Sequence, residues 1–160
     1  MATALHNLSE YDAAAVPSGK GRRFVIVVAE WNAQVTNAMA EGAIKTLKQY
    51  DVADDNIIIK HVPGTFELTF AAAKCIRNNE CDAVICLGCV IQGETRHFDF
   101  ICEGVANGLS ALNAEGDIPV IFGVLTTDNL QQALDRAGGR LGNKGVEAAV
   151  TALKMVQYVK

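Results

Sequence analysis

The sequence predicts an α/β protein, a three-layer αβα sandwich around a four-stranded parallel sheet. Three observations carry that prediction. Short apolar runs alternate four times with segments whose apolar residues recur at helical spacing. The runs are continuous rather than alternating, as strands covered by helices on both faces must be. Polar residues able to do chemistry collect where the runs end, at the edge where open parallel sheets bind ligands.

Each element has its own justification. Residues 1–21 contain Pro17, Gly19 and Gly21 and show no sustained periodicity, so they read as an N-terminal arm that either pairs with a neighbouring chain or lies loose. Residues 22–160 read as one domain. FVIVVA at 24–29 is a β-branched run suited to a buried strand. Val35, Met39, Ala43 and Leu47 mark one face of a helix over 33–49. NIIIKHV at 56–62 is a second strand, stopped by Pro63-Gly64. An alanine-rich helix is expected over 65–78 and a third strand over 82–91. Phe98, Ile101, Val105, Leu109 and Leu112 form the stripe of a helix over 97–114. IPVIFGVL at 118–125 is a fourth strand. Helices over 127–137 and 144–159 follow, separated by GGRLGNKG. Right-handed crossovers turn this order into a flavodoxin-like, doubly wound sheet.

Bulk properties narrow the function classes. A chain of 160 residues, 50% apolar and 20% charged, has the balance of a globular domain with a sizeable core. The net charge of -4 argues against a nucleic-acid surface. No apolar run approaches the ~20 residues that span a bilayer, so no membrane partner is expected. MATALHNLSEYDAAAVP has neither a basic nor an apolar signal region, so no secretory signal is expected. Five cysteines in apolar surroundings fit reduced thiols in a cytoplasmic protein.

Four strand-end segments hold the candidate chemistry: Glu30 to Asn32, Pro63 to Glu67, Cys89 to His97, and Thr126-Thr127. Of the three histidines, His6, His61 and His97, only His97 sits at such a junction, in GETRHFDF. Imidazole exchanges protons near neutral pH and suits general acid–base work, although a histidine there can also serve only as a hydrogen-bonding side chain. Backbone N–H groups around Gly93, Glu94 and Thr95 can hold an anion, while Thr95 can equally be a helix cap. Arg136, Arg140 and Lys144 surround the glycine-rich turn. A cation there can hold a phosphate, or Arg136 can simply offset a helix dipole. Trp31 can stack on a flat heterocycle or merely pack. Glu67 can accept polyol hydroxyls or act as a first-turn helix charge. Cys86 and Cys89 lie three apart in a strand and so face opposite sides, which predicts no metal site. No glycine fingerprint of a dinucleotide or nucleoside triphosphate site follows the first strand.

AEWN, VPGTFEL, GCVIQGETRHFDF, IPVIFGVLTTD and RAGGRLGNKGVEAA occur in this order over about residues 22–158, and together they resemble the lumazine synthase family. The resemblance implies an enzyme, a transferase in the penultimate step of riboflavin biosynthesis. It would condense 5-amino-6-(D-ribitylamino)uracil with 3,4-dihydroxy-2-butanone 4-phosphate to 6,7-dimethyl-8-ribityllumazine, without metal or organic cofactor. It implies that His97 transfers protons and that Trp31 stacks on the pyrimidine. Thr65, Phe66 and Glu67 would line the ribityl chain, and Cys89, Val90 and Ile91 would lie under the pyrimidine. Glu94, Thr95, Arg136 and Lys144 would hold the phosphorylated substrate, and Phe122 would reach in from an adjacent subunit. Arg96 stands where many relatives have proline, Gln92 where a cation is frequent, and Leu141 where a polar residue or histidine is common. Homopentamers with sites between adjacent subunits are implied, and the short GNKG turn favours a hollow shell of sixty subunits. Riboflavin synthase is an implied partner of such assemblies. A silent ribityllumazine- or flavin-binding protein, a purely structural cage subunit and a flavodoxin-like electron carrier are the rival readings. Retention of His97, Arg136, Glu67 and Lys144 together argues against the silent binder.

Overall fold

The computed structural model describes residues 7–159. His6 and the first six residues of the arm lie outside that range. The four predicted strands form one parallel sheet: β1 (Phe24–Ala29), β2 (Ile57–Val62), β3 (Ala83–Ile91) and β4 (Val120–Thr127), in the order β2-β1-β3-β4. The chain winds outward in both directions from the β1–β3 pair, which sets Phe24 opposite Ala83 and Val28 opposite Leu87. This is the doubly wound order, with its switch point between β1 and β3.

The continuous apolar strands are explained by the two cores they feed. Phe24, Ile26 and Val28 of β1 and Ile85, Leu87 and Cys89 of β3 pack under helices α1 (Ala33–Gln49) and α5 (Lys144–Met155). Val25 and Val27, with Val84 and Cys86, face α2 (Leu68–Arg77) and α3 (His97–Glu115) on the other side. Neighbouring strand residues point to opposite faces, so every residue of β1 is buried. Cys86 and Cys89 fall in different cores, as their spacing requires. Among the described residues no helix is long and apolar enough to cross a membrane.

Several boundaries differ from the sequence reading. Residues Thr65–Glu67 form a 3₁₀ turn, and the α-helix starts only at Leu68. Thr65 is wedged against Gly88, where a Cβ would lie 2.8 Å from its Oγ1. The fourth strand begins and ends two residues later than its apolar run. Ile91 pairs with Thr127, and the Gln92 N–H donates to the Thr127 carbonyl at 2.8 Å. Both threonines are β-branched and continue the strand without being apolar. In α3 only Val105 and Leu109 are buried, while Phe98, Ile101 and Leu112 are half-buried.

The expected helix over 127–137 shrinks to α4 (Leu130–Leu134). The Asp135 carbonyl accepts from Leu141 N–H and the Arg136 carbonyl from Lys144 N–H, both at 2.8 Å, which removes the acceptors a longer helix needs. A small antiparallel hairpin replaces it, β5 (Ala137–Gly139) with β6 (Gly142–Asn143). Gly138, at φ +112°, and Gly142, at φ +81°, permit its turn. The described part of the arm, residues 7–21, does not lie loose. It folds back on its own chain, where Tyr11 meets Tyr50 and Val16 joins the core.

Helix α5 approaches α1 so closely that Gly145 leaves no room for a side chain. A Cβ there would fall 1.8 Å from the Met39 carbonyl oxygen. The opposing atom is backbone and cannot rotate away, so Gly145→Ala must push the helices apart. The expected loss is ~1–3 kcal/mol, visible as a lower denaturation midpoint at unchanged m.

Candidate active site

At the carboxyl ends of β1 and β3 a cavity of about 520 Å³ opens. Its walls come from Trp31 and Asn32 after β1, from Gly64 to Glu67 after β2, from Cys89 to Ile91 and Gly93 at the end of β3, and from Thr95, His97, Phe98 and Ile101 at the start of α3. The topology explains the gap. Chain leaving β1 and chain leaving β3 pass to opposite faces of the sheet, so nothing covers the edge between them.

Local geometry holds this wall together. Asn32 adopts the left-handed conformation, at φ 61° and ψ 44°, which asparagine tolerates better than most residues. Its amide Nδ2 donates to the Cys89 carbonyl at 2.9 Å and ties the ends of β1 and β3. The sequence reading placed Asn32 at a ligand edge without giving it a part. Its position at the end of a strand was the available signal. Gly64, Phe98 and Ile101 likewise carry no expected part in the site, while Gly93 is expected there only through its backbone N–H.

The side chains divide by exposure. Trp31 is 73% exposed and Phe66 56% exposed, large apolar surfaces left beside an open cavity. Thr65 and Cys89 are buried, and Val90 and Ile91 half-buried. Burial pushes the Cys89 thiol up to about 11. Glu67 and His97 are exposed, and His97 is the first residue of α3. Thr95 is not the formal cap of α3, but its Oγ1 accepts a long bond from the His97 N–H at 3.4 Å. Glu94 is exposed in the same loop without lining the cavity. Arg96 turns back to Asp99, 3.4 Å away on the same helix.

Three predicted site residues lie elsewhere in the chain. Arg136 follows α4 and donates from Nη1 to the Gln132 carbonyl at 2.9 Å, a contact that offsets the dipole at the end of α4. Phe122 and Lys144 line a separate open groove of about 1020 Å³ beside β4. There Lys144 Nζ is 2.8 Å from Glu147 Oε1. A single chain thus brings together His97, Trp31, the 65–67 segment, the 89–91 segment and Thr95, but not Phe122, Arg136 or Lys144.

Fold and cavity define a class: an α/β protein with a small-molecule site at the switch point, combining an aromatic platform, a carboxylate, a histidine and a helix start. A family model described as 6,7-dimethyl-8-ribityllumazine synthase matches residues 21–160. Proteins of that name are similar over nearly the whole chain. The one from Porphyromonas gingivalis is 59% identical, covering 97% of this chain and 96% of its own length. Those from Phocaeicola vulgatus and Parabacteroides distasonis are each 56% identical over 99% of this chain, and over 94% and 99% of their own lengths. The chain belongs to the 6,7-dimethyl-8-ribityllumazine synthase family.

At a pKa of about 11, only about one Cys89 thiol in ten thousand is ionised at pH 7. Since the thiolate is the nucleophile, iodoacetamide at that pH should leave Cys89 unmodified in the folded protein, as read by peptide mass spectrometry. Rapid labelling would show that the thiol is not buried beneath the cavity floor.

Proposed function

We propose that the chain condenses 5-amino-6-(D-ribitylamino)uracil with 3,4-dihydroxy-2-butanone 4-phosphate, giving 6,7-dimethyl-8-ribityllumazine, phosphate and two waters. This is the penultimate step of riboflavin biosynthesis. The observation that carries the proposal is the switch-point cavity with His97 at its rim, in a chain that matches the family from residue 21 to residue 160.

The chemistry assigns the work. The uracil's primary amine attacks the ketone, and the carbinolamine loses water to form an imine. Elimination then expels phosphate and leaves an enol that tautomerises to a carbonyl, and attack of the ribitylamino nitrogen on that new carbonyl closes the ring with loss of another water. Each stage moves a proton, and His97 is the group at the rim suited to carry it. Trp31 offers its exposed indole as a platform for the pyrimidine. Cys89, Val90 and Ile91 form the floor beneath it, and Thr65, Phe66 and Glu67 flank the ribityl chain. The burial that keeps Cys89 protonated makes it a neutral wall, not a nucleophile. Glu94 and Thr95, with the backbone amides of their loop, face the phosphorylated substrate. Much of the acceleration comes from holding two substrates in register.

The reading extends to a homopentamer. Arg136, Lys144 and Phe122 do not line the cavity of their own chain, and we assign them to the site of an adjacent subunit. Arg136 would hold the departing phosphate, and Lys144 would add a second cation. One guanidinium nitrogen of Arg136 contacts Gln132, which leaves most of its five N–H donors for an anion. The reading places the enzyme in the cytoplasm, in keeping with its unpaired cysteines. Light scattering of the purified protein separates a pentamer from a sixty-subunit shell.

The direct test mixes purified protein with both substrates and follows the fluorescent product against a protein-free control. Acceleration is expected, and none from folded, assembled protein would leave a binding or cage protein. His97→Ala should slow turnover ~10–100-fold, and an unchanged rate would remove His97 from the mechanism. Arg136→Ala should raise KM for the butanone phosphate ~10–100-fold, the worth of a charged hydrogen bond, while leaving pyrimidine binding intact. Equal weakening of both ligands would sink the phosphate role.

A further inference from the structure

The described part of the N-terminal arm makes a contact that the reaction scheme leaves unused. Leu8 donates its backbone N–H to the Leu141 carbonyl at 2.8 Å. The Asn143 N–H donates to the Ser9 hydroxyl at 3.0 Å. The Asn7 side chain bends the arm into a turn by accepting from the Ser9 N–H at 2.9 Å. The residues so gripped flank Gly142, whose φ is +81°. A Cβ at Gly142 would lie 2.2 Å from Asn7 Oδ1 and 2.6 Å from Ser9 N, so the arm rests on the bare Cα of this glycine.

Leu141 is held from two sides. Its carbonyl receives Leu8, and its N–H donates to the Asp135 carbonyl, immediately before Arg136. Asn143 is likewise shared: its side-chain Nδ2 donates to the Ala38 carbonyl of α1 at 2.9 Å, while its backbone N–H goes to Ser9. The hairpin between Arg136 and Lys144 has strands of only three and two residues. A two-stranded hairpin of that size has little stability of its own. The arm adds one hydrogen bond at the turn, to the Leu141 carbonyl, and one on the second strand, from the Asn143 N–H.

We propose that Leu8 and Ser9 are positioning residues, a latch that fixes the Arg136–Lys144 turn and thereby sets affinity for the phosphorylated substrate. The proposal rests on the reading of Arg136 as the phosphate-binding cation. The arm acts through that turn and touches no reacting atom.

The test compares Leu8→Pro, which deletes the donor N–H, with Leu8→Ala, which keeps it. Ser9→Ala and its rescue by Ser9→Thr form a second, milder pair that serves if Leu8→Pro does not fold. All are assayed as full chains beside Arg136→Ala, varying each substrate in turn. Leu8→Pro and Ser9→Ala should each raise KM for the butanone phosphate ~3–10-fold, the scale of a lost neutral hydrogen bond. In both, kcat and the pyrimidine KM should stay within about twofold. Leu8→Ala and Ser9→Thr should match the parent, and hydrogen exchange at Leu141 and Asn143 should speed up only in the first two. If Arg136→Ala weakens the phosphate ligand alone while Leu8→Pro and Ser9→Ala leave its KM unchanged, the latch is overturned and the Arg136 reading stands. If Arg136→Ala weakens both ligands alike, both fall. A parallel rise in both KM values in the arm variants, or loss of assembly, overturns the latch as a merely structural contact.

Discussion

The parallel pairing of β1 with β3 is the constraint on which the rest of the structure depends. Both strands are buried on both faces, and each alternates its side chains between two separate cores. A slip of one residue would exchange the two sets of side chains between faces, so the register is tightly specified. From this pair the chain leaves in opposite directions, to β2 on one side and β4 on the other. The uncovered edge between them is where the cavity opens. The Asn32-to-Cys89 bond closes its base at 2.9 Å and makes the floor an extension of the central pair. The cavity inherits its rigidity from strands, and on the proposed reading its chemistry sits on the short loops that follow them.

The same economy governs the helix faces. Gly88 accepts Thr65 against its Cα, and Gly108 on α3 does the same for Thr69, where a Cβ would lie 2.6 Å from the threonine oxygen. Gly104 faces Phe66, whose ring would stand 3.0 Å from an added Cβ. These close approaches draw α2 and the 3₁₀ turn before it onto α3 and the sheet. They set where Phe66 and Glu67 emerge beside the cavity. Positions that look like gaps in the sequence pattern are therefore contacts that place the segment next to the ligand edge.

Much of this was legible in the sequence. FVIVVA and the Val35–Leu47 periodicity gave β1 and α1 with the bounds observed, because long apolar patterns overwhelm local preferences. GETRHFDF was readable as a strand end entering a helix, with His97 first in that helix. Two things were not legible. The segment after β4 looked helical through Ala137, because its composition is helix-compatible. The competing hydrogen bonds from Leu141 and Lys144 come from residues beyond the pattern and cannot be read from spacing. The arm was similarly opaque. Its partner, the Leu141–Asn143 stretch, is more than 130 residues away in sequence, a separation of 134 for the Ser9–Asn143 bond, and only the fold brings them together.

The turn that bears Arg136 shows how a cation can be held without being neutralised. Asp135 is buried and stands next to Arg136 in the chain, yet its carboxylate binds Arg140 Nε at 2.7 Å and Gln131 Nε2 at 2.9 Å. The Gln131 hydrogen bond first, and then Arg140, hold this carboxyl below its ordinary range. A depressed carboxylate contributes stability above its unfolded pKa and loses it as pH falls through the folded value. That window lies in acid, below the ordinary carboxylate range. Near neutral pH Asp135 is therefore constantly charged, and its partners are constantly engaged. Arg136 spends one nitrogen on a carbonyl, a partner that orients it without cancelling its charge. On the proposed reading, the anion-holding half of the site is thus electrostatically fixed, while the proton-carrying half rests on an exposed histidine at a helix start. On that reading the phosphate-holding and proton-carrying tasks fall on separate elements of the fold, the turn after α4 and the start of α3.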